Sequence, residues 1–242
     1  MKIEYDTYEK FYFGEAQEKY IQAEFYSQGY EALKTSPDIG YDLLVTNCAR
    51  TKFLGEEPRQ YNIQVKSRIC YDKPVCFFIR EEDFDCLLKD VNGYLICVLC
   101  KPELSDSREN ITIYREQDPV MYTHMFEDWQ SELLKDCSYL SLKFIKKHGI
   151  SYVGYTRNYI WLNNAQLKRL KDENLIYNND GYICINIDYP SMEIIDENNM
   201  PYEIRSNSLY GRARIGYEQQ YIKYLVECDS TDNKMFEGDI YL

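Results

Sequence analysis

The fold is indicated most directly by two segments, Gly40-Tyr41-Asp42-Leu43-Leu44-Val45 and Ile63-Gln64-Val65-Lys66-Ser67. Each is a short run of apolar, β-branched or aromatic residues bounded by turn-forming residues, and this pattern predicts two buried strands. Successive side chains of a strand point to opposite faces, so Gln64 and Lys66 share one face. If the two strands pair, we expect Asp42 to lie beside these residues at one edge of a sheet.

A carboxylate, an amide oxygen and an ammonium group at one sheet edge have no obvious purpose in core packing. The oxygens of Asp42 and Gln64 can instead hold a hard divalent cation such as Mg²⁺ or Mn²⁺. The ammonium group of Lys66 can contact water or a phosphate group. These three residues therefore predict a site for metal-assisted chemistry.

At these residues the sequence resembles the PD-(D/E)XK nuclease superfamily, the fold of many restriction enzymes, Holliday-junction resolvases and defence nucleases. The signature of that family is an acid that opens the second core strand and an acid-x-Lys triplet on the third, often preceded by a helical glutamate. Asp42 matches the first position, Gln64-Val65-Lys66 the triplet and Glu15 the helical acid. Gln64 departs from the usual glutamate, although some branches use Gln-x-Lys, and it adds no negative charge.

The resemblance implies a metal-dependent endonuclease that hydrolyses DNA phosphodiester bonds, with a role in restriction or phage defence. Asp42, Gln64, the Val65 carbonyl and Glu15 would hold Mg²⁺ or Mn²⁺. Lys66 would orient the attacking water or help to deprotonate it. The alternative is a nuclease-fold subunit or regulatory module without catalysis, which the acidic charge balance and Gln64 favour.

The literal match to the family name, Pro37-Asp38, is expected to be the wrong aspartate. Asp38 lies in the Ser36–Gly40 segment, whose residues favour a turn, whereas Asp42 opens the apolar run. We therefore assign Asp42, and not Asp38, to the site.

The order of the predicted elements supports the same fold. The patterns predict a helix over 14–28 with Ala16, Tyr20 and Ala23 on one side, strands over 29–34, 41–46 and 61–67, a helix over 81–90 and a strand over 94–100. This order of helix, three strands, helix and strand is that of the superfamily's core. It predicts an α/β fold with a mixed sheet, restriction-endonuclease-like over residues 1–104. The continuously apolar 94–100 run is typical of a strand covered on both faces.

Residues 105–242 are expected to form a C-terminal α+β accessory domain that binds DNA or protein, separated by the polar Lys101–Ser107 segment. Helical patterns cover 125–147 and 163–174, the second capped by Asn163 or Asn164. An Asn179-Asp180-Gly181 turn before an apolar run over 182–187 predicts a hairpin. A basic helix followed by a hairpin is also the second half of a winged helix, which would place Lys168, Arg169 and Lys171 near DNA. The alternative is a helix packed on a hairpin with its charges in solvent.

The net charge of −12 is unfavourable for a DNA-binding protein, because phosphate neutralisation by Lys and Arg supplies most non-specific affinity. A local basic rim would suffice, and its candidates are Arg50, Lys52, Arg59, Lys66, Arg68 and Lys73. The alternative is that these residues are ordinary surface charges. A homodimer contacting mainly through residues after 105, or a protein partner, would add DNA affinity.

The remaining composition points to a cytoplasmic protein. The nine cysteines form no disulfide framework, and no signal peptide or apolar run long enough for a membrane is evident. Cys97 and Cys100 form a CxxC pair, but three residues apart on a strand they should face opposite sides. We therefore expect core cysteines instead of a zinc site.

Overall fold

The computed structural model describes residues 5–36, 40–70, 74–106, 150–189, 192, 194–195 and 222–227 of a mixed α/β fold. Its helices are α1 (Tyr5–Ser27), α2 (Cys48–Leu54), α3 (Glu81–Lys89), α4 (Asn164–Asp172) and α5 (Ile222–Glu227). Its strands are β1 (Glu31–Lys34), β2 (Leu43–Thr46), β3 (Gln60–Ile69), β4 (Val75–Arg80), β5 (Gly93–Asp106), β6 (Ile150–Asn163), β7 (Tyr177–Asn179), β8 (Tyr182–Ile187) and β9 (Ile194–Ile195). The element order predicted for residues 14–100 is present, with α2 and β4 added to it.

A five-stranded mixed sheet with the order β1-β2-β3-β5-β6 organises the fold. Strands β3 and β5 are parallel, and the other neighbours are antiparallel. A parallel pair needs a crossover connection, which here contains β4 and α3. A four-stranded antiparallel sheet of β4, β8, β7 and β9 lies beyond this crossover.

Helix α1 covers one face of the five-stranded sheet through Ile21 and Phe25, both fully buried. Of the predicted apolar side of this helix, Tyr20 packs against this core, whereas Ala16 and Ala23 are exposed. Burial of the larger Ile and Phe side chains removes more apolar surface from water than burial of alanines does, and it sets the rotation of the helix. Gly29 ends the helix with a φ of +79°, a conformation that glycine adopts without a Cβ penalty.

Strand β5 separates the two hydrophobic cores, as its continuous apolar pattern predicted. Tyr94, Ile96, Val98 and Cys100 face the core under α1 and α5, whereas Leu95, Cys97 and Leu99 face α3, α4 and the second sheet. Cys97 and Cys100 thus lie on opposite faces, both buried and both free thiols. Burial raises the pKa of the Cys100 thiol to about 12.

The segment interpreted as a polar linker is strand as far as it is described, because β5 continues through Lys101 to Asp106. It pairs along its whole length with β6, which follows the predicted boundary at 104/105 and closes the same sheet. Both hydrophobic cores contain residues from either side of position 104. The chain thus shares one sheet and two cores across the predicted boundary.

The predicted helix and hairpin of the second half are present. Asn163 is the N-cap of α4, and it and Gln166 form a reciprocal capping box. Strands β7 and β8 form the hairpin around Asp180-Gly181, and β8 also pairs with β4 from the first half of the chain. Asn164 donates to the Leu87 and Leu88 carbonyls at 2.9 and 2.6 Å, which ties α4 to α3.

Several predictions fall outside the described residues. They are the helix over 125–147, the Pro37-Asp38 segment, Lys73 and most of the chain expected to form a dimer contact. Among the described helices, none has the length and apolarity needed to cross a membrane.

Candidate metal centre

Asp42 lies directly before β2 and opposite Gln64 of β3. The register pairs Leu43 with Ile63, and the Asp42 N–H donates to the Ile63 carbonyl at 2.8 Å, which places Asp42 beside Gln64. The Gln64 side-chain amide donates to Asp42 Oδ2 at 2.8 Å, and the Val65 N–H donates to the same oxygen at 2.6 Å. The predicted juxtaposition of the two side chains is therefore present.

The carboxylate of Asp42 takes the place of a missing strand partner. If β2 began earlier, Tyr41 would lie opposite Val65. The backbone leaves the ladder there, and the Asp42 carboxylate accepts the Val65 N–H instead. In an antiparallel ladder a residue's N–H and C=O point towards the same neighbouring strand. The Val65 carbonyl therefore also points towards the side on which β2 has ended.

Gln64 is a polar residue buried within the sheet, with 3% of its surface exposed. Its Nε2 is used by Asp42, whereas its Oε1 is buried without a hydrogen-bond partner. A buried acceptor left without a donor costs about 1–3 kcal/mol. Such a group commonly marks a bound ion or an ordered water.

The orientation of the Gln64 amide follows from the charge of Asp42. Turning the amide over would place Oε1 against the carboxylate, and two acceptors in contact repel each other. A cation between them removes that repulsion, because both oxygens are then ligands. Because Nε2 faces Asp42 in this structure, a cation shared by Asp42, the Gln64 Oε1 and the Val65 carbonyl requires the amide to turn over.

Lys66 lies two residues further along β3, about 7 Å from Gln64 and on the same face. Its side chain is half-buried, and its register partner on β5 is Cys97. Burial raises the pKa of the Cys97 thiol, and the positive charge of Lys66 acts in the opposite direction. Within the described residues, no hydrogen bond or ion pair engages the Lys66 ammonium.

Glu15 is not brought together with these residues. It forms ion pairs with Lys34, at very short range, and with Lys19, at 3.9 Å. Lys34 shares its face of β1 with the buried Ala32, which packs under α1, so Glu15 lies near the same end of the sheet but on the face opposite Asp42. Burial lowers the pKa of Lys34, but the Glu15 and Glu18 carboxylates outweigh it, and the net shift is upward.

Of the two acidic residues expected to hold the cation, Asp42 lies at this site and Glu15 does not. Within the described parts of the chain, no three His, Cys, Asp or Glu side chains come together as a metal-binding group. A cation at Asp42 would depend on one charged ligand, the neutral oxygens of Gln64 and Val65, and water. We expect weaker binding than at a site with two carboxylates.

A hydrogen-bond network that the sequence did not predict fixes the residues just before β2. Asp90, at the end of α3, accepts hydrogen bonds from the Tyr41 hydroxyl at 2.9 Å, the Asn62 amide at 2.6 Å and the Asn92 N–H at 2.9 Å. Burial, and then the bond to Asp90, raise the pKa of Tyr41. This network fixes the residue before Asp42 against the strand that carries Gln64. Nothing in the local sequence pattern around Asp90 indicates these long-range contacts.

The basic residues predicted to line the site are divided between three places. Arg68 continues the face of Gln64 and Lys66, with its guanidinium 5.0 Å from the Phe78 ring centre. Arg50, Lys52 and Arg59 lie at the other end of the β2–β3 pair, and Arg50 bonds to Glu56 and to the Gln28 carbonyl. On α4, Lys168 and Lys171 are exposed, whereas Arg169 forms an ion pair with Glu173 at 2.7 Å.

Comparisons of this chain with protein-family models, with curated proteins and with solved structures give no match.

Proposed function

We propose that this protein is a metal-dependent endonuclease that hydrolyses DNA phosphodiester bonds, built on a restriction-endonuclease-like core. The order of α1, β1, β2, β3, α3 and β5 supports this, because it corresponds to the core order of the PD-(D/E)XK superfamily. The proposed biological role is restriction or phage defence in the cytoplasm.

One observation carries the proposal: the Asp42–Gln64 pair with a buried, unpartnered Gln64 Oε1, on the same sheet face as Lys66. A packed core would not retain a carboxylate next to an unsatisfied amide without a compensating ligand. An exposed surface would not bury Gln64. A site that binds a divalent cation accounts for both features.

In the proposed reaction the chain's own groups have separate tasks. Asp42, the Gln64 Oε1 and the Val65 carbonyl would hold Mg²⁺ or Mn²⁺. The bound cation would lower the pKa of a water molecule and stabilise the charge that develops on the phosphate. Lys66 would position the attacking water and offset negative charge on the phosphoryl oxygens, since an ammonium group can serve both as donor and as point charge.

The test is cleavage of plasmid and linear DNA with Mg²⁺, with Mn²⁺ and with EDTA. We expect cleavage with either metal and none with EDTA. Asp42→Asn should be inactive, because it keeps a side-chain oxygen for the Val65 N–H but removes the negative charge of the proposed metal ligand. Asp172→Asn, an exposed acid at the end of α4, is the matched control and should cleave normally. A folded wild type that cleaves with neither metal would overturn the proposal.

The second candidate function is a non-catalytic nuclease-fold subunit or regulatory module. The position of Glu15 favours it, because Lys34 holds that carboxylate on the other face of the sheet. Titration of Mn²⁺, followed by electron paramagnetic resonance, separates the two functions. Tight Mn²⁺ binding that Asp42→Asn abolishes, together with cleavage, supports the nuclease. Absence of binding and of cleavage supports the non-catalytic module.

We further propose that the protein acts as a homodimer, since one such site cuts one strand and a two-fold pair is the simplest route to a duplex break. The contact would lie mainly after residue 105, or a separate protein partner would supply the DNA affinity. Light scattering should give twice the 29.0 kDa chain mass. A mass of one chain, with and without DNA, would contradict the dimer and favour the partner.

A further inference from the structure

A cavity of about 600 Å³ lies at the end of the β2–β3 pair opposite the candidate metal centre. The side chains that line it include the last residue of β2, Thr46, and the first of β3, Gln60. Thr46 is four residues from Asp42, which corresponds to about 13 Å along an extended strand. The cavity and the metal centre therefore lie at the two ends of one strand pair.

The lining of this cavity is cationic although the chain is strongly acidic. Lys52 and Arg59 contribute two positive charges, and hydroxyl and amide groups come from Thr46, Thr51, Gln60 and Asn92. Among the described residues that line it there is no Asp or Glu. The Glu31 carboxylate borders this lining, since it accepts from the Thr46 hydroxyl at 3.3 Å and from the Cys48 N–H at 2.9 Å. The two cations of the lining outnumber this one acid and favour an anionic ligand.

The two cations differ in how firmly they are held. The Arg59 guanidinium donates to the Val226 carbonyl of α5 at 2.7 Å, and its backbone N–H donates to the buried Asn47 side chain, also at 2.7 Å. Lys52 is exposed, and its ammonium lies 5.4 Å from the Phe53 ring centre. The Arg59 guanidinium is thus anchored to α5 and interacts electrostatically with Glu56, whereas Lys52 presents a positive charge that can turn towards a ligand.

We propose that this cavity binds a phosphate group of the DNA strand, through Lys52 and Arg59, while another phosphate of the same duplex lies at Asp42 and Gln64. The separation of about 13 Å along the strand is short enough for phosphates of one duplex to occupy both positions. This inference rests on the proposed function for the nature of the strand, but it concerns binding and not cleavage. The cavity would anchor the backbone and set the register of the scissile bond.

The experiment measures DNA binding by fluorescence anisotropy in EDTA, where no metal-dependent cleavage occurs. Lys52→Gln removes one phosphate contact and should weaken binding about eightfold at 0.1 M salt, lowering the slope of log affinity against log salt by about 0.9. The matched control is Lys19→Gln, an exposed cation on α1 at the opposite face of the sheet, and its affinity should stay near wild type. Equal effects of the two substitutions would overturn the proposed site.

The thiol of Cys48 gives a second readout that does not depend on a substitution. Cys48 is exposed and lines the cavity, so a phosphate bound there should slow its alkylation by a maleimide. We expect protection by duplex DNA and none by a deoxymononucleotide at the same phosphate concentration. Protection by both would instead identify a free-nucleotide site, and protection by neither would overturn the inference.

The outcomes for the cavity and for the nuclease proposal can be separated. If DNA binding is sensitive to Lys52 and no metal supports cleavage, the cavity inference stands and the nuclease proposal fails. If DNA is cleaved and the DNA affinity does not change in Lys52→Gln, the nuclease proposal stands and the cavity inference fails.

Discussion

The two faces of the β2–β3 strand pair differ sharply in what they bury. On the α1 face, Leu43, Val45, Ile63 and Val65 form part of a continuous apolar core. On the opposite face the same strands carry Asp42, Gln64 and Lys66, and the Gln64 oxygen is buried without a partner. The first face stabilises the fold, whereas the second holds polar groups whose contribution to folding is small or unfavourable. This comparison is the basis of our proposal that the second face binds a ligand.

The largest expected effect is on cleavage and comes from the polar face. Lys66→Gln should lower the cleavage rate by about 100-fold or more, since it removes a positioned donor and a charge at the reacting phosphate. The free energy of unfolding should change by less than about 1 kcal/mol. Plasmid nicking with Mg²⁺ and urea unfolding measure the two quantities. Lys19→Gln, an exposed lysine on α1, is the control, and full activity of Lys66→Gln would contradict our assignment.

The next largest effect is on stability and comes from the apolar face. Ile63→Ala should lower the free energy of unfolding by about 2–5 kcal/mol, because it opens a cavity in a packed core. Leu33→Ala on β1, where 53% of the side chain is exposed, should change it by about 0.5 kcal/mol or less. Urea unfolding compares the two. Similar losses for both variants would show that the two faces are not energetically distinct.

A third prediction concerns Gln64→Glu, which converts the neutral ligand into a second carboxylate. Without a divalent cation two adjacent carboxylates repel, which raises the pKa of the pair in the folded state. Stability should therefore be retained at low pH and lost as the pH rises through that raised pKa. Added Mg²⁺ should restore it, with a larger increase in melting temperature than in wild type. Thermal unfolding with and without Mg²⁺ tests this, and equal increases would mean that residue 64 is not a ligand.

The smallest effect is local and concerns helix α2, which adjoins the cavity end of the strand pair. The Glu31 carboxylate accepts from the Ala49 and Cys48 N–H groups at 2.8 and 2.9 Å, and the Ala49 bond is the main cause of its lowered pKa. A lowered folded-state pKa gives stability that is present above the unfolded value near 4.5 and lost as the pH falls. Hydrogen exchange at the Ala49 N–H should therefore become less protected in acid.

Glu31→Gln should remove that pH dependence, and Glu57→Gln, an exposed neighbour, should leave it intact. Unchanged pH dependence in Glu31→Gln would mean that another group controls α2.

The local sequence predicted elements more reliably than it predicted their faces and partners. Strands β2, β3 and β5 follow from apolar runs and turn residues, and the pair of Asp42 and Gln64 follows from their antiparallel register. Helix α1 was predicted over 14–28, and its end is correct, but its start at Tyr5 was missed. Its buried residues Ile21 and Phe25 were also missed, because the weak pattern of Ala16 and Ala23 does not define which side is buried. Strands β4 and β6 were missed.

The candidate site shows the same difference between what local patterns predict and what long-range contacts decide. Asp42, Gln64 and Lys66 share a face because strand alternation fixes it over a few residues. Glu15 is far from them in sequence, and only the packing of α1 on the other side of the sheet decided that Lys34 would be its partner. The local sequence does not indicate partners for Arg50 and Arg59. In the structure, Arg50 bonds to Glu56 and Arg59 donates to the Val226 carbonyl.

Local patterns in the sequence predicted α1, β1, β2, β3, α3 and β5 in their order, the two-sided burial of β5 and the side-chain chemistry of the β2–β3 edge. These depend on periodicity and turn residues within a few positions of each other. Only the tertiary structure decided that β5 and β6 form one long pair across residue 104, that Asp90 holds Tyr41 and Asn62, and that a basic cavity closes the far end of β2 and β3. Those contacts join residues distant in sequence, and their free energies arise from packing and hydrogen bonding that no local pattern encodes.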